Sequence, residues 1–137
     1  MVATTSEDAR YRVRFSNGAC ESHADTTPEK GGGGNGFRPH ELLEAALGCC
    51  LNMHVRLYAD NHGIPLGNVT TTVAVDRTDP SLSVFTYSIS FSPRLAAEQA
   101  AKLLQVAGSC PVSRTLTRQI VLQPRAPVPA GVPSTPR

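Results

Sequence analysis

The stretch ELLEAALGCCLNMHVRLYA (Glu41–Ala59) decides how this chain folds. Leu43, Ala46, Leu47, Cys50, Met53, Leu57 and Tyr58 recur at helical spacing, while Leu42, Ala45, Cys49 and Leu51 occupy the opposite side. A helix that is apolar nearly all round is buried on most sides and does not lie on a surface. One small domain can hardly cover it; a wrapped sheet and a second subunit can. Pro39 suits the first turn of this helix and Gly63 its stop, so the predicted range is Pro39–Asn61. Its adjacent cysteines, Cys49 and Cys50, have a counterpart downstream in SCPVSRTL (Ser109–Leu116). A cysteine in a buried helix and another at the start of a second helix make a candidate thiol–disulfide pair.

Upstream, RYRVRFSN (Arg10–Asn17) alternates Tyr11, Val13 and Phe15 against Arg10, Arg12 and Arg14, the period of a half-exposed strand. Asn17-Gly18 signals a hairpin turn, with a weaker return strand over Ala19–Asp25. The segment TTPEKGGGGNGFRP holds five glycines and reads as a flexible lid or connector without regular structure. It lacks the lysine and the strand-to-helix setting of a phosphate loop. Downstream, Asn68–Arg77 and Leu82–Phe91 flank the turn cluster TDPS and make an antiparallel hairpin. A helix follows over Ser92–Gly108, with Ser92 as N-cap and Pro93 at its first position. Ser109 is the expected cap of a short helix through CPVSRTL, and Thr117–Gln123 the last strand.

The 137 residues suffice for one domain with a core. The expected organisation is a flexible N-terminus (1–9), a single α+β domain (10–123) and a proline-rich disordered tail (124–137). A net charge of +2 gives no support to nucleic-acid binding. Glu44, Asn52, His54 and Arg56 interrupt the longest apolar run, which argues against a membrane span. The N-terminus shows no signal-peptide pattern, so a cytoplasmic location is expected. In a reducing compartment the four cysteines read as thiols, not as a disulfide framework.

A thiol reacts as thiolate, and apolar burial opposes ionisation. Cys50 therefore needs a partner. His54 stands one turn away, Glu41 lies about two and a half turns back along the helix, and Arg10, Arg12, Arg14, Arg38 and Arg56 offer positive charge. Cys110 sits near a helix N-terminus, which favours negative charge. The plain alternative is that Cys49, Cys50 and Cys110 are small core residues, a common fate of cysteine. Cys49, Cys50, Cys110, His54 and His62 lack zinc-site spacing. No metal or other cofactor is expected. His23 and His40 read as surface loop residues, and Cys20 has no evident partner.

RPHELLEAALGCCLNMHVRLYADNHGIPL, followed by a hairpin, a helix and GSCPVSRTL, resembles the OsmC/Ohr superfamily over roughly Tyr11–Leu122. That superfamily is named for osmotically induced protein C and organic hydroperoxide resistance protein. The resemblance implies an intertwined α+β homodimer, with antiparallel sheets wrapped around long central helices. It implies a thiol peroxidase that reduces organic hydroperoxides, with hydrogen peroxide as a further substrate, in oxidative stress defence. The peroxidatic cysteine falls on Cys50, eleven positions after Pro39, and the resolving cysteine on Cys110. A lipoyl-type or other dithiol would reduce the resulting disulfide. Where the peroxidases carry a glutamate directly after the motif proline, this chain has His40, and Glu41 comes one residue later. Arg12 and Arg14 are the candidates for the activating arginine, with Glu41 to hold it and His54 as substitute. Rival readings are a catalytically weak module that binds a small ligand and a redox sensor.

Overall fold

The computed structural model describes residues 1–125; the tail expected from 124 onward lies almost wholly outside them. The chain forms two compact units, Met1–Pro39 with the described residues from Val121 on, and His40–Ile120.

The first unit is a three-stranded antiparallel sheet in the order β1 (Ala3–Ser6), β2 (Val13–Ser16), β3 (Glu21–Ala24). The N-terminus expected to fray is thus a strand. Its β-branched Thr4 and Thr5 pair with Phe15 and Arg14. β2 begins at Val13 and not at Arg10, because Tyr11 turns the chain at φ +66°. The Arg10 guanidinium lies 4.8 Å from the centre of the Tyr11 ring. The expected Asn17-Gly18 turn is present: Gly18 takes φ +94°, and Asn17 Oδ1 accepts from the Ala19 and Cys20 amides at 2.9 and 2.8 Å.

The glycine-rich segment is not a loose lid. A short 3₁₀ turn occupies Pro28–Lys30, and the buried Asp25 carboxylate organises the backbone on either side of it. Asp25 accepts from the Thr26 amide at 2.7 Å and from the Gly33 and Asn35 amides at 3.1 Å each. A Cβ at Gly32 would run into the Thr26 carbonyl oxygen, so the backbone approach there excludes any side chain.

The second unit is built on α1 (Pro39–Asn61), with the predicted bounds. Leu47, Leu51, Val55 and Ala59 form its buried ridge, an i, i+4 row. They pack with Leu103 and Ala107 of α2 (Ala97–Ala107) and with Cys110. Burying a leucine of this kind contributes about 1.5–3 kcal/mol. The antiparallel hairpin β4 (Asn68–Asp76) and β5 (Val84–Ser92) adds Val73, Phe85, Ile89 and Phe91 to the same core. Polar side chains fix α1 to β4: Asn52 Nδ2 donates to the Val69 carbonyl at 2.8 Å, and Glu44 Oε1 accepts from the Val75 amide at 2.9 Å.

Three expectations along the chain are corrected. Ser92 is not a helix cap; it ends β5 opposite Asn68, and α2 begins only at Ala97. The short helix α3 (Pro111–Leu116) is capped by Cys110, not by Ser109. The last segment is not a strand: Ile120, Val121 and Leu122 pair with no strand among the described residues, at 59%, 65% and 90% exposure.

Candidate functional site: a thiol pair between two helices

Cys50 lies mid-way along α1, half-buried, and Cys110 lies at the N-terminus of α3, fully buried. Pro111 at the first helical position and the extended Cys110 backbone (φ −62°, ψ 152°) set up the cap. The Cys110 sulfur accepts from the Ser113 amide at 3.4 Å and stands 3.2 Å from Ser113 Oγ. The Cys50 thiol lies close enough to the same sulfur for each to influence the other's ionisation. Both sulfurs are free thiols.

The environment divides the charge unequally. Burial pushes the Cys50 thiol up, and the neighbouring Cys110 and Cys49 sulfurs push the same way against the Val112 amide. Burial also opposes ionisation of Cys110. There the Ser113 hydroxyl and amide, the Cys50 thiol and the Val112 amide outweigh it and bring Cys110 below the ordinary thiol range. The two thiols are thus shifted in opposite directions.

The other predicted residues take separate places. His54 does not bond Cys50; its Nε2 is 3.4 Å from Ser109 Oγ. Ser109 spends its own proton on the Val106 carbonyl at 2.8 Å, so the imidazole must donate. Arg12 and Arg14 stand in or beside β2 of the first unit, 2.9 Å from Glu7 and 3.3 Å from Glu21. Glu41 belongs to the first turn of α1. Of the bystander histidines, His23 sits on β3, 3.2 Å from Glu7, and His62 stacks on Tyr58 at 3.8 Å, while His40 is exposed. Cys20 is exposed in the first hairpin.

Cys49, one residue along, points elsewhere. It is exposed and lines a cavity of about 460 Å³ together with Glu44, Asn52, Met53 and Val73. Sequence reasoning missed Ser113. Its signal was available: a serine three residues after a helix-capping position is placed to reach back to that cap.

The match to the OsmC-like protein family covers residues 31–125, well over half of the chain. No curated protein is similar enough to match. Among solved structures, an osmotic stress induced and detoxification response protein from Psychrobacter arcticus is similar. It is 19% identical, with 83% of this chain and 85% of that one covered and a TM-score of 0.70. An organic hydroperoxide resistance protein from Legionella pneumophila gives 20% identity, coverage of 85% and 88%, and a TM-score of 0.63. The organic hydroperoxide resistance protein OhrB of Bacillus subtilis gives 19%, 85%, 89% and 0.62. Identities this low speak for the fold, and that fold is α+β with antiparallel sheets and helices, as expected from the sequence. With its sequence match and its fold in agreement, the chain belongs to the OsmC-like protein family.

Proposed function

We propose that this protein is a thiol peroxidase that reduces organic hydroperoxides through a Cys50–Cys110 disulfide cycle. The observation that carries the reading is the closeness of two free thiols, Cys50 of α1 and Cys110 at the cap of α3, each of which influences the other's ionisation. Cys50 is the nucleophile because it is the more exposed of the two; Cys110 has no accessible surface. Its attack on the distal peroxide oxygen yields a sulfenic acid, which Cys110 condenses to a disulfide. The names of the Legionella and Bacillus relatives support a hydroperoxide as substrate. An arginine in or beside β2, Arg14 or Arg12, steadied by Glu41, is the proposed charge that orients the peroxide. A small dithiol such as a lipoyl group is the proposed reductant.

We further read the working unit as a homodimer. Leu43, Met53 and Leu57 make an apolar stripe on α1 at 45%, 70% and 59% exposure, a face that a second α1 would cover. The test is consumption of cumene hydroperoxide with dihydrolipoamide as reductant. Turnover by the wild type and none by Cys50→Ser supports the reading. A wild type that binds small apolar ligands but consumes no hydroperoxide favours the binding module.

A further inference from the structure

We propose that the groove between β5 and α2 binds a medium-chain alkyl carboxylate, its tail laid on an apolar floor and its head on Arg94. The inference makes no use of the thiols and goes beyond the peroxidase reading. The groove has a volume of about 410 Å³, within the range of small-molecule sites, about 300–1,000 Å³. Ile89 and Phe91 come from alternate positions of β5 and share one face of the strand. Ala97, Ala100 and Leu104 come from α2 at i, i+3 and i+7 and share one face of the helix. Ile89, Phe91 and the connecting Leu95 are half-buried against the core, while Leu104 keeps 44% of its surface in water. The two alanines leave the space open; a larger side chain at either would occupy it.

Arg94 is the single charged residue among the described residues of the lining. Among the described residues its guanidinium has no ion pair and no hydrogen bond. Glu98, in the first turn of α2, lies outside the lining. An apolar floor with one unpaired cation at its side matches an amphiphile that carries one negative charge. A guanidinium presents a planar fork that pairs with a carboxylate through two parallel bonds. An uncharged ligand would leave Arg94 unpaired, and a short-chain acid would leave the floor wet. The site is also separate from the sulfurs. α2 has eleven residues, a length of about 16 Å. The groove runs along its first two turns, whereas Cys110 follows its C-terminal end.

The experiment titrates the full chain with octanoate, hexanoate and octanol, read by calorimetry and by amide shifts in NMR spectra. Octanoate is expected to bind about 10-fold more tightly than hexanoate, because two further methylenes reach the floor. It is expected to shift the amides around Ala97, Ala100 and Leu104. Arg94→Gln, at an exposed position, is expected to weaken octanoate by about 5-fold and to leave octanol unchanged. Ala100→Leu is expected to fill the groove and abolish binding of both. Should Ala100→Leu fail to fold, Arg94→Gln and the position of the shifted amides decide alone. Cys50→Ser is expected to bind octanoate as the wild type does, and absence of hydroperoxide turnover leaves this proposal untouched. No octanoate binding by the wild type, shifts confined to α1, or an affinity indifferent to Arg94→Gln overturns it.

Discussion

The Cys110 sulfur accepts from the Ser113 amide at 3.4 Å at the cap of α3, beside the Cys50 thiol of α1. That one contact separates the roles of two otherwise similar cysteines. Burial holds the Cys50 thiol above the ordinary thiol range, while the Ser113 hydroxyl and amide bring Cys110 below it.

Cys50 therefore needs positive charge to act as thiolate near neutral pH. The alkylation rate of Cys50 against pH reports its ionisation. Replacement of its cationic partner is expected to move that curve to higher pH by about one unit or more. Arg12→Ala, Arg14→Ala and Glu41→Gln are the variants to compare. Curves that coincide with wild type in all three would remove Arg12 and Arg14 from the site.

Asp25 holds the glycine-rich segment by charge-assisted bonds, and the Asn35, Thr26 and Gly33 amides keep its carboxyl below the ordinary carboxylate range despite its burial. A depressed carboxylate stabilises the fold above its unfolded value of about 3.9. That stability disappears as pH falls through the lower folded value. Asp25→Asn should lower the thermal midpoint at pH 7 and flatten the acid limb of the stability curve below about pH 4. An unchanged midpoint by calorimetry would mean that the glycines alone shape the segment.

Gly48 is where α1 comes closest to the hairpin: a Cβ there would lie 3.3 Å from Val73 Cγ2. Gly48→Leu should overpack this contact and destabilise the protein by about 1–3 kcal/mol, read from urea unfolding. A neutral effect would show that β4 yields easily, against the anchoring by Asn52 and Glu44.

The α1 stripe is tested by charge. Leu57→Asp, at a position 59% exposed in the single chain, should cost little in folding but split a dimer. Stable dimer interfaces bury about 1,200–2,000 Å², and a carboxylate at the centre of an apolar one is strongly unfavourable. Sedimentation should show a dimer for wild type and a monomer for the variant. A monomeric wild type at micromolar concentration would contradict the proposed assembly.

Much of the fold was legible in the chain because the decisive signals are local. The apolar pattern between Pro39 and Gly63 fixed α1 to the residue, and Asn17-Gly18 and TDPS marked both turns. The misreadings fall where distant residues decide. Ser92 has the chemistry of an N-cap, but pairing with Asn68 keeps it in β5. Serine is the stronger capping residue by preference, yet the packing of Cys110 into the core moves the cap one residue on. Ile120, Val121 and Leu122 carry a strand composition, but strand formation requires a neighbouring strand, and they have none among the described residues. The glycine-rich segment looks featureless because its organiser, Asp25, lies eight and ten residues before two of the amides it binds. At the site, the order of the two cysteine motifs pointed to Cys50 and Cys110, while the Ser113 contact is one that only the turn into α3 creates.

One disulfide decides the matter most directly. The reduced protein is treated with one equivalent of cumene hydroperoxide, quenched by alkylation, digested and mapped by mass spectrometry. The expected result is a Cys50–Cys110 disulfide within one chain, Cys20 and Cys49 alkylated, and, in Cys110→Ser, a sulfenic acid on Cys50 in place of the disulfide. Recovery of Cys50 and Cys110 as alkylated thiols after hydroperoxide treatment, or a disulfide that joins Cys49 instead, would contradict a Cys50–Cys110 cycle.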